Sequence, residues 1–274
     1  MAKRILVAVI FLPILFVIMF FLPPVALAVV FAFISAMSAY EFLRATGAGK
    51  MTVPMKTVSV LSAALIPLGA WLGAAVLTAG VCGFVVMSVS FWCAIRAYDG
   101  TDAPVGFYHV MLCMFSGIVV PVGLSCLVVL KCMEQGKYLV LLAMLLTFAT
   151  DSGAYFVGMF LGKHRGVIKV SPKKSLEGYI GGFVAAIVFS VAFGAVVQGA
   201  AGLDVNYLSL VLIGFVGGIA TMLGDLAFSL VKREYHVKDY GNLLPGHGGM
   251  MDRFDSMVFC APVVLFIVTV LPVF

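Results

Sequence analysis

Phe107–Leu130 reads FYHVMLCMFSGIVVPVGLSCLVVL, twenty-four residues that contain no Asp, Glu, Lys or Arg. About 20 apolar residues wound as an α-helix match the hydrocarbon thickness of a bilayer. A helix satisfies its own backbone polar groups, so it is a form in which such a segment can sit in lipid. The stretch predicts a membrane-spanning helix, and the chain on either side repeats the pattern. Eight further candidates lie at 5–21, 25–43, 58–75, 77–96, 138–160, 178–199, 207–231 and 256–273. Pro23-Pro24 forces a break between the first two, because proline removes a backbone donor and clashes with the preceding turn. A Gly-rich stretch from Leu77 to Gly83 blurs the border between the third and fourth. Lys3 and Arg4 ahead of 5–21 resemble the start of a signal peptide. No small-residue cleavage site follows before the next span, so the segment is read as a helix.

Composition leads the same way. Of 274 residues 63% are hydrophobic and 11% charged, with a mean hydropathy of +1.18. A soluble domain carries roughly 25% charged residues, so a soluble fold of this length would lack polar surface. Disorder, collagen-like repeats and disulfide scaffolds are excluded by the same figures. The expected fold is an all-α integral membrane protein of about nine transmembrane helices. Residues 1–137 would form an N-terminal bundle facing lipid. Residues 138–274 would form the catalytic membrane region, with loops at 162–178 and 232–255. The six cysteines form no Cys-x-x-Cys pair and read as small packed hydrophobes.

Basic residues set the orientation. With the N-terminus in the cytoplasm, nine spans leave the C-terminus outside. Lys3, Arg4, Arg44, Lys50, Lys56, Arg96, Lys163, Arg165, Lys169, Lys173, Lys174, Lys232, Arg233, Lys238 and Arg253 then fall inside, and only Lys131 and Lys137 outside. That 15-to-2 split obeys the positive-inside rule, and eight spans would break it.

Two of the inner segments hold most of the chemistry: GKHRGVIKVSPKKSLEG at Gly162–Gly178 and KREYHVKDYGNLLPGHGGMMDRFD at Lys232–Asp255. A solvated loop with positive-inside lysines explains the Lys and Arg of the second. It does not explain the interleaved Asp239, Asp252 and Asp255, nor the turn Pro245-Gly-His247-Gly248-Gly249. Glycines let backbone N–H groups approach an anion closely, as in phosphate-cradling loops.

Acids inside the spans sharpen this. An aspartate at the centre of a spanning helix costs about 2.5–3.5 kcal/mol on insertion scales, which makes it a functional candidate. Asp225 lies on a stripe of Gly214, Gly218, Thr221, Asp225, Ser229 and Lys232. The Gly214-x-x-x-Gly218 spacing suits close helix packing. The alternative for Asp225 is a quiet pairing with a lysine in the bundle. Asp151, Tyr155 and Gly158 form a weaker stripe, and Asp151 suits an interior hydrogen bond as well as a direct role. Asp252 and Asp255, three residues apart at the start of the last span, would face one way and share a site with Asp225. Carboxylates among basic residues suit Mg²⁺, which takes hard oxygen ligands and bridges phosphates. Glycosidase-type acid/base work is the other reading of paired carboxylates, and the surrounding lysines and arginines favour polyanions over it. No P-loop and no Gly-x-Ser-x-Gly elbow occurs.

The 27-residue run from Ser229, SLVKREYHVKDYGNLLPGHGGMMDRFD, closely resembles the signature of phosphatidate cytidylyltransferases, the CDP-diacylglycerol synthases. Ser229, Lys232-Arg233, Lys238-Asp239, Gly241, Pro245, His247-Gly248-Gly249, Asp252-Arg253 and Asp255 fall in register with it. Asp151-Ser-Gly-Ala-Tyr155, Ser171-Pro-Lys-Lys-Ser-Leu-Glu-Gly178 and Gly224-Asp225 also look like family motifs. Ser152 stands where many members carry threonine. The likeness runs from about Thr150 to Asp255. It implies cytidylyl transfer from CTP to phosphatidic acid, giving CDP-diacylglycerol and pyrophosphate. Asp225 and Asp252 would hold Mg²⁺, with Asp255 as an additional carboxylate for a second cation. Lys232, Arg233, Lys238 and Arg253 would act in catalysis. Ser171, Lys173, Lys174, Ser175, Glu177, Asp239, His247, Gly248, Gly249 and Asp151 would bind substrate. The resemblance also suggests a homodimer and no nucleic-acid partner. The expected place is a bacterial cytoplasmic (inner) membrane, with the active site facing the cytoplasm. A CTP-dependent polyprenol kinase-like enzyme and an anion transporter are the alternatives. The first would not be expected to carry the whole signature, and the second lacks the repeated pair of broken spans such transporters show.

Overall fold

The computed structural model describes residues 16–47, 51–99, 105–243 and 248–274. Eight helices in them are long and apolar enough to cross a membrane: α1 (Pro24–Thr46), α2 (Val53–Trp71), α3 (Ala75–Ala97), α4 (Phe107–Cys132), α5 (Gly136–Phe160), α6 (Leu176–Ala201), α7 (Tyr207–Glu234) and α8 (Met251–Val270). Among the described residues there is no β-strand, and Arg165 and Ser175 form an isolated antiparallel bridge. The protein is an all-α integral membrane protein. The predicted span 5–21 lies largely outside the described residues, of which 16–20 are helical.

Local chemistry explains most of the boundaries. Pro24 opens α1 at a position where its missing N–H is no loss. The border between α2 and α3 falls at Leu72–Ala74, upstream of the Gly-rich stretch that blurs it in the sequence. Gly73 takes φ +75°, which a side chain would resist, and makes the turn. Gly80 and Gly83 lie within α3 with open space where a Cβ would sit. The spans expected at 58–75 and 77–96 are therefore Val53–Trp71 and Ala75–Ala97.

The chain forms two compact units. One comprises Met1–Cys132 with Tyr235–Phe254; the other comprises Met133–Glu234 with Asp255–Phe274. In the first, Leu27, Phe31, Phe42, Met55, Leu124 and Leu127 are fully buried. Phe42 lies 5.2 Å from Phe115 and 5.5 Å from Tyr240, ring centre to ring centre. The second is held by small residues. At Gly153 of α5 an added Cβ would strike Ala185, and at Gly182 of α6 it would come within 2.7 Å of the Thr150 carbonyl. Side chains would push α5 and α6 apart at both points. Gly214 and Gly218 of α7 pack against Ala186 and Ile187 of α6. The Gly-x-x-x-Gly face read from the sequence is thus used inside the chain. A π-turn at Ile213–Gly217 interrupts α7 at this contact. Ser209 Oγ donates to the Leu271 carbonyl at 2.9 Å, tying the start of α7 to the end of the chain.

Candidate active site

Charged side chains collect at one end of α7 in the second unit. The small residues of its stripe seat the helix on α6, and Thr221 donates to the Gly217 carbonyl at 2.8 Å, satisfying its buried hydroxyl. One turn on, Asp225 Oδ2 accepts a hydrogen bond from Lys174 Nζ at 2.7 Å, both side chains being partly buried. Lys174 also lies 5.8 Å from the centre of the Tyr179 ring. Burial works against its ammonium, but Asp225, helped by Asp151 and Tyr179, outweighs that and holds Lys174 above the ordinary lysine pKa. The pairing thus contributes fully below the ordinary value and is lost only as pH rises through the raised one. Lys174 is a cation at neutral pH.

Asp255 belongs to the same group. It is buried; its Oδ1 accepts the Ser256 N–H at 2.7 Å and its Oδ2 lies 4.0 Å from Lys232 Nζ. Gly224 makes this possible. A Cβ there would stand 3.0 Å from the Asp255 carbonyl oxygen and from Ser256 Cα, so a side chain would press the two backbones apart by a few tenths of an ångström. Asp151, Asp225 and Asp255 lie near enough to act electrostatically on one another or on a shared lysine.

The 162–178 loop is built from within. Ser175 caps α6 by accepting the Gly178 N–H at 3.1 Å. Glu177 accepts from the Lys163 N–H at 3.2 Å and pairs with His164 Nδ1 at 2.5 Å. The Lys174 N–H donates to the Ser171 carbonyl at 3.1 Å, closing a turn that aims Lys174 at Asp225. Arg233 Nε donates to the Val170 carbonyl at 3.3 Å, so the end of α7 holds the loop. Ser175 and Glu177, expected on substrate, thus have clear partners inside the protein. Lys173 is exposed.

The signature loop belongs to the first unit. Asp252 Oδ2 accepts the Tyr240 N–H at 2.8 Å and the Gly249 N–H at 3.0 Å, drawing the two ends of the loop together. Gly248 takes φ +85°, with Asp252 Oδ2 and Asp239 Oδ1 at 3.2 and 3.3 Å from where a Cβ would be. Lys238, Asp239 and Arg253 are exposed, and His247 lies outside the described residues. Glu41 of α1, absent from the sequence-derived site, is buried against this loop. Its signal was available: it is an acid within the candidate span 25–43, the same mark that singled out Asp225.

Among the described residues no three His, Cys, Asp or Glu side chains form a ready-made metal-binding group. Mg²⁺ asks for less, one or two carboxylates with phosphate oxygens completing its shell. Asp225 and Asp255 fit that requirement: both are hard oxygen donors, linked electrostatically, and each faces a lysine rather than an apolar wall.

The pattern that defines the cytidylyltransferase family matches residues 2–271. The chain belongs to that family. The chain is 44% identical over 134 residues to the phosphatidate cytidylyltransferase of Bacillus subtilis (strain 168), covering 49% of this chain and 48% of that one. It is 36% identical over 156 residues to the phosphatidate cytidylyltransferase of Staphylococcus haemolyticus (strain JCSC1435), covering 57% and 58%. With that of Staphylococcus aureus (strain COL) it shares 35% over 156 residues, again covering 57% and 58%. The aligned part of the chain thus spans about half the length of the curated relatives it matches.

Proposed function

We propose that this protein transfers the cytidylyl group of CTP to phosphatidic acid. A phosphate oxygen of the lipid attacks the α-phosphorus of CTP, the bond to the β-phosphate oxygen breaks, and pyrophosphate leaves. The observation that carries the reading is membership of the cytidylyltransferase family across residues 2–271. It is supported by the names of the relatives and by the set of residues the protein devotes to anions.

The nucleophile is already an anion, so no strong general base is required. What the protein must supply is positioning and charge neutralisation. Lys173, Lys174, Lys232, Arg233, Lys238 and Arg253 provide the positive charge. Lys174 and Lys232 are held in place by Asp225 and Asp255, and Arg233 by the Val170 carbonyl. Asp225 and Asp255 would hold Mg²⁺, which when bound neutralises triphosphate charge. Purified protein should release pyrophosphate only when CTP and phosphatidic acid are both present. Pyrophosphate release from CTP alone, or conversion of CTP to CDP with a polyprenol as acceptor and no reaction with phosphatidic acid, would refute the assignment.

The reaction faces the cytoplasm in this proposal, across a bacterial inner membrane, as the 15-to-2 distribution of basic residues supports. Cys132, exposed at the end of α4 beside Lys131, offers a test on the opposite side. A membrane-impermeant maleimide should label Cys132 in intact spheroplasts, and Cys132→Ser should remove that labelling. Labelling of Cys132 only after lysis would invert the topology.

A further inference from the structure

Glu41 has no part in the reaction as drawn, yet the signature loop is folded around it. The residue is 4% exposed and lies 210 positions from the group it holds. Its Oε2 accepts the Met251 N–H at 3.0 Å, and the Met250 N–H donates to the same carboxylate. Met251 is the first residue of α8, so Glu41 caps from α1 a helix end that would otherwise carry unpaired donors.

The glycines of the loop are shaped to it. All three atoms nearest to a Cβ at Gly241 belong to Glu41: Oε1, Cδ and Cγ. A Cβ at Gly249 would run into Glu41 Oε2, with the Gly241 nitrogen 2.7 Å away. Tyr240, next in the loop, stacks on Phe42, next in α1, with ring centres 5.5 Å apart and planes at 29°. Tyr240 and Gly241 on one side and Gly249–Met251 on the other are thus held by two carboxylates, Asp252 from α8 and Glu41 from α1. A residue that only filled this space would be apolar, since an acid within a spanning helix is costly.

We propose that Glu41 is a positioning residue that fixes the signature loop and thereby sets the protein's affinity for a nucleoside triphosphate. The proposal rests on the reading above that the loop handles CTP. A glutamine at this position removes the charge and one of the two acceptor oxygens available to the Met250 and Met251 N–H groups. The cost of an unsatisfied buried donor corresponds to roughly a tenfold or greater loss in an equilibrium constant.

The test compares Glu41→Gln, Glu41→Ala, Gly241→Ala and the double variant Glu41→Ala/Gly241→Ala with wild type. Glu41→Gln should raise the KM for CTP about tenfold or more and leave that for phosphatidic acid within about twofold. Hydrogen exchange should quicken at 240–251 and stay unchanged in α2 and α3. Gly241→Ala should reproduce both effects even where a Glu41 variant folds poorly. In the Glu41→Ala background it should add nothing, because the atoms it collides with are gone. An unchanged KM for CTP, a parallel rise for both substrates, or faster exchange throughout the first unit would overturn the positioning role. If wild type itself shows no turnover of CTP and phosphatidic acid, the reaction assignment fails instead. The exchange pattern and the double variant then still decide whether Glu41 fixes the loop.

Discussion

Asp225→Asn protein is expected to fold and to lose turnover by about 10²–10³-fold or more, the scale seen when a preorganised charge at a transition state is removed. The substitution keeps the size of the side chain and one acceptor oxygen. It removes the formal charge that holds Lys174 2.7 Å away. Stability should change little for two reasons. The pair is partly exposed, and such ion pairs are worth about 1 kcal/mol or less. Lys174 also sits on a loop and can turn its ammonium to water, while an amide in α7 costs less to insert than a carboxylate. The quiet-pairing alternative for Asp225 is half realised in the structure, since the residue does anchor a lysine. That makes the comparison sharper. If anchoring were its whole role, the variant would melt earlier while the folded fraction worked normally. Turnover and thermal unfolding measured on the same purified samples separate the two, and near-normal turnover at saturating Mg²⁺ would remove Asp225 from the metal site.

The second large effect is expected at Asp252, where Ala and Asn should differ. Asp252→Ala leaves the Tyr240 and Gly249 amides without their acceptor. Each unpaired buried donor costs about 1–3 kcal/mol, so the loop should lose order and turnover should fall by about 10²-fold or more. Asp252→Asn still offers one oxygen to both amides and should keep the loop ordered. If loop geometry is the main contribution of Asp252, Asn should retain at least a tenth of wild-type turnover. If its charge acts on a cation, Asn should be as poor as Ala. Hydrogen exchange at Tyr240 and Gly249, read alongside turnover, identifies which holds.

What could be read from the residues alone follows from the physics of lipid. Spanning helices must be long and apolar, so 107–130 and 138–160 fall within two residues of α4 and α5. The turn between α2 and α3 was harder to place. Three glycines in close succession compete for it, and only the one that takes a left-handed φ makes the turn, which is a matter of backbone conformation and not of composition. The polar stripe on α7 was legible because 3.6-residue periodicity lines up Gly214, Gly218, Thr221 and Asp225. The partner of Asp225 was not, since nothing local selects Lys174, 51 positions away, from the other basic residues. Asp252 shows the same limit. Its spacing from Asp255 could be read from the sequence, but not the two amides its Oδ2 accepts from, which come close only once the chain has folded. Glu41 carried the signal of an intramembrane acid, but its meaning depends on Gly241 and Gly249, some 200 positions away.

The fate of the individual phosphates of CTP bears most directly on the proposed reaction. Purified protein in lipid micelles would be given phosphatidic acid and CTP radiolabelled either at the α- or at the γ-phosphorus. Cytidylyl transfer moves the α-label into an organic-extractable liponucleotide and sends the γ-label into pyrophosphate. Transfer of the γ-label to lipid, or release of both labels to water with the lipid unchanged, would contradict it.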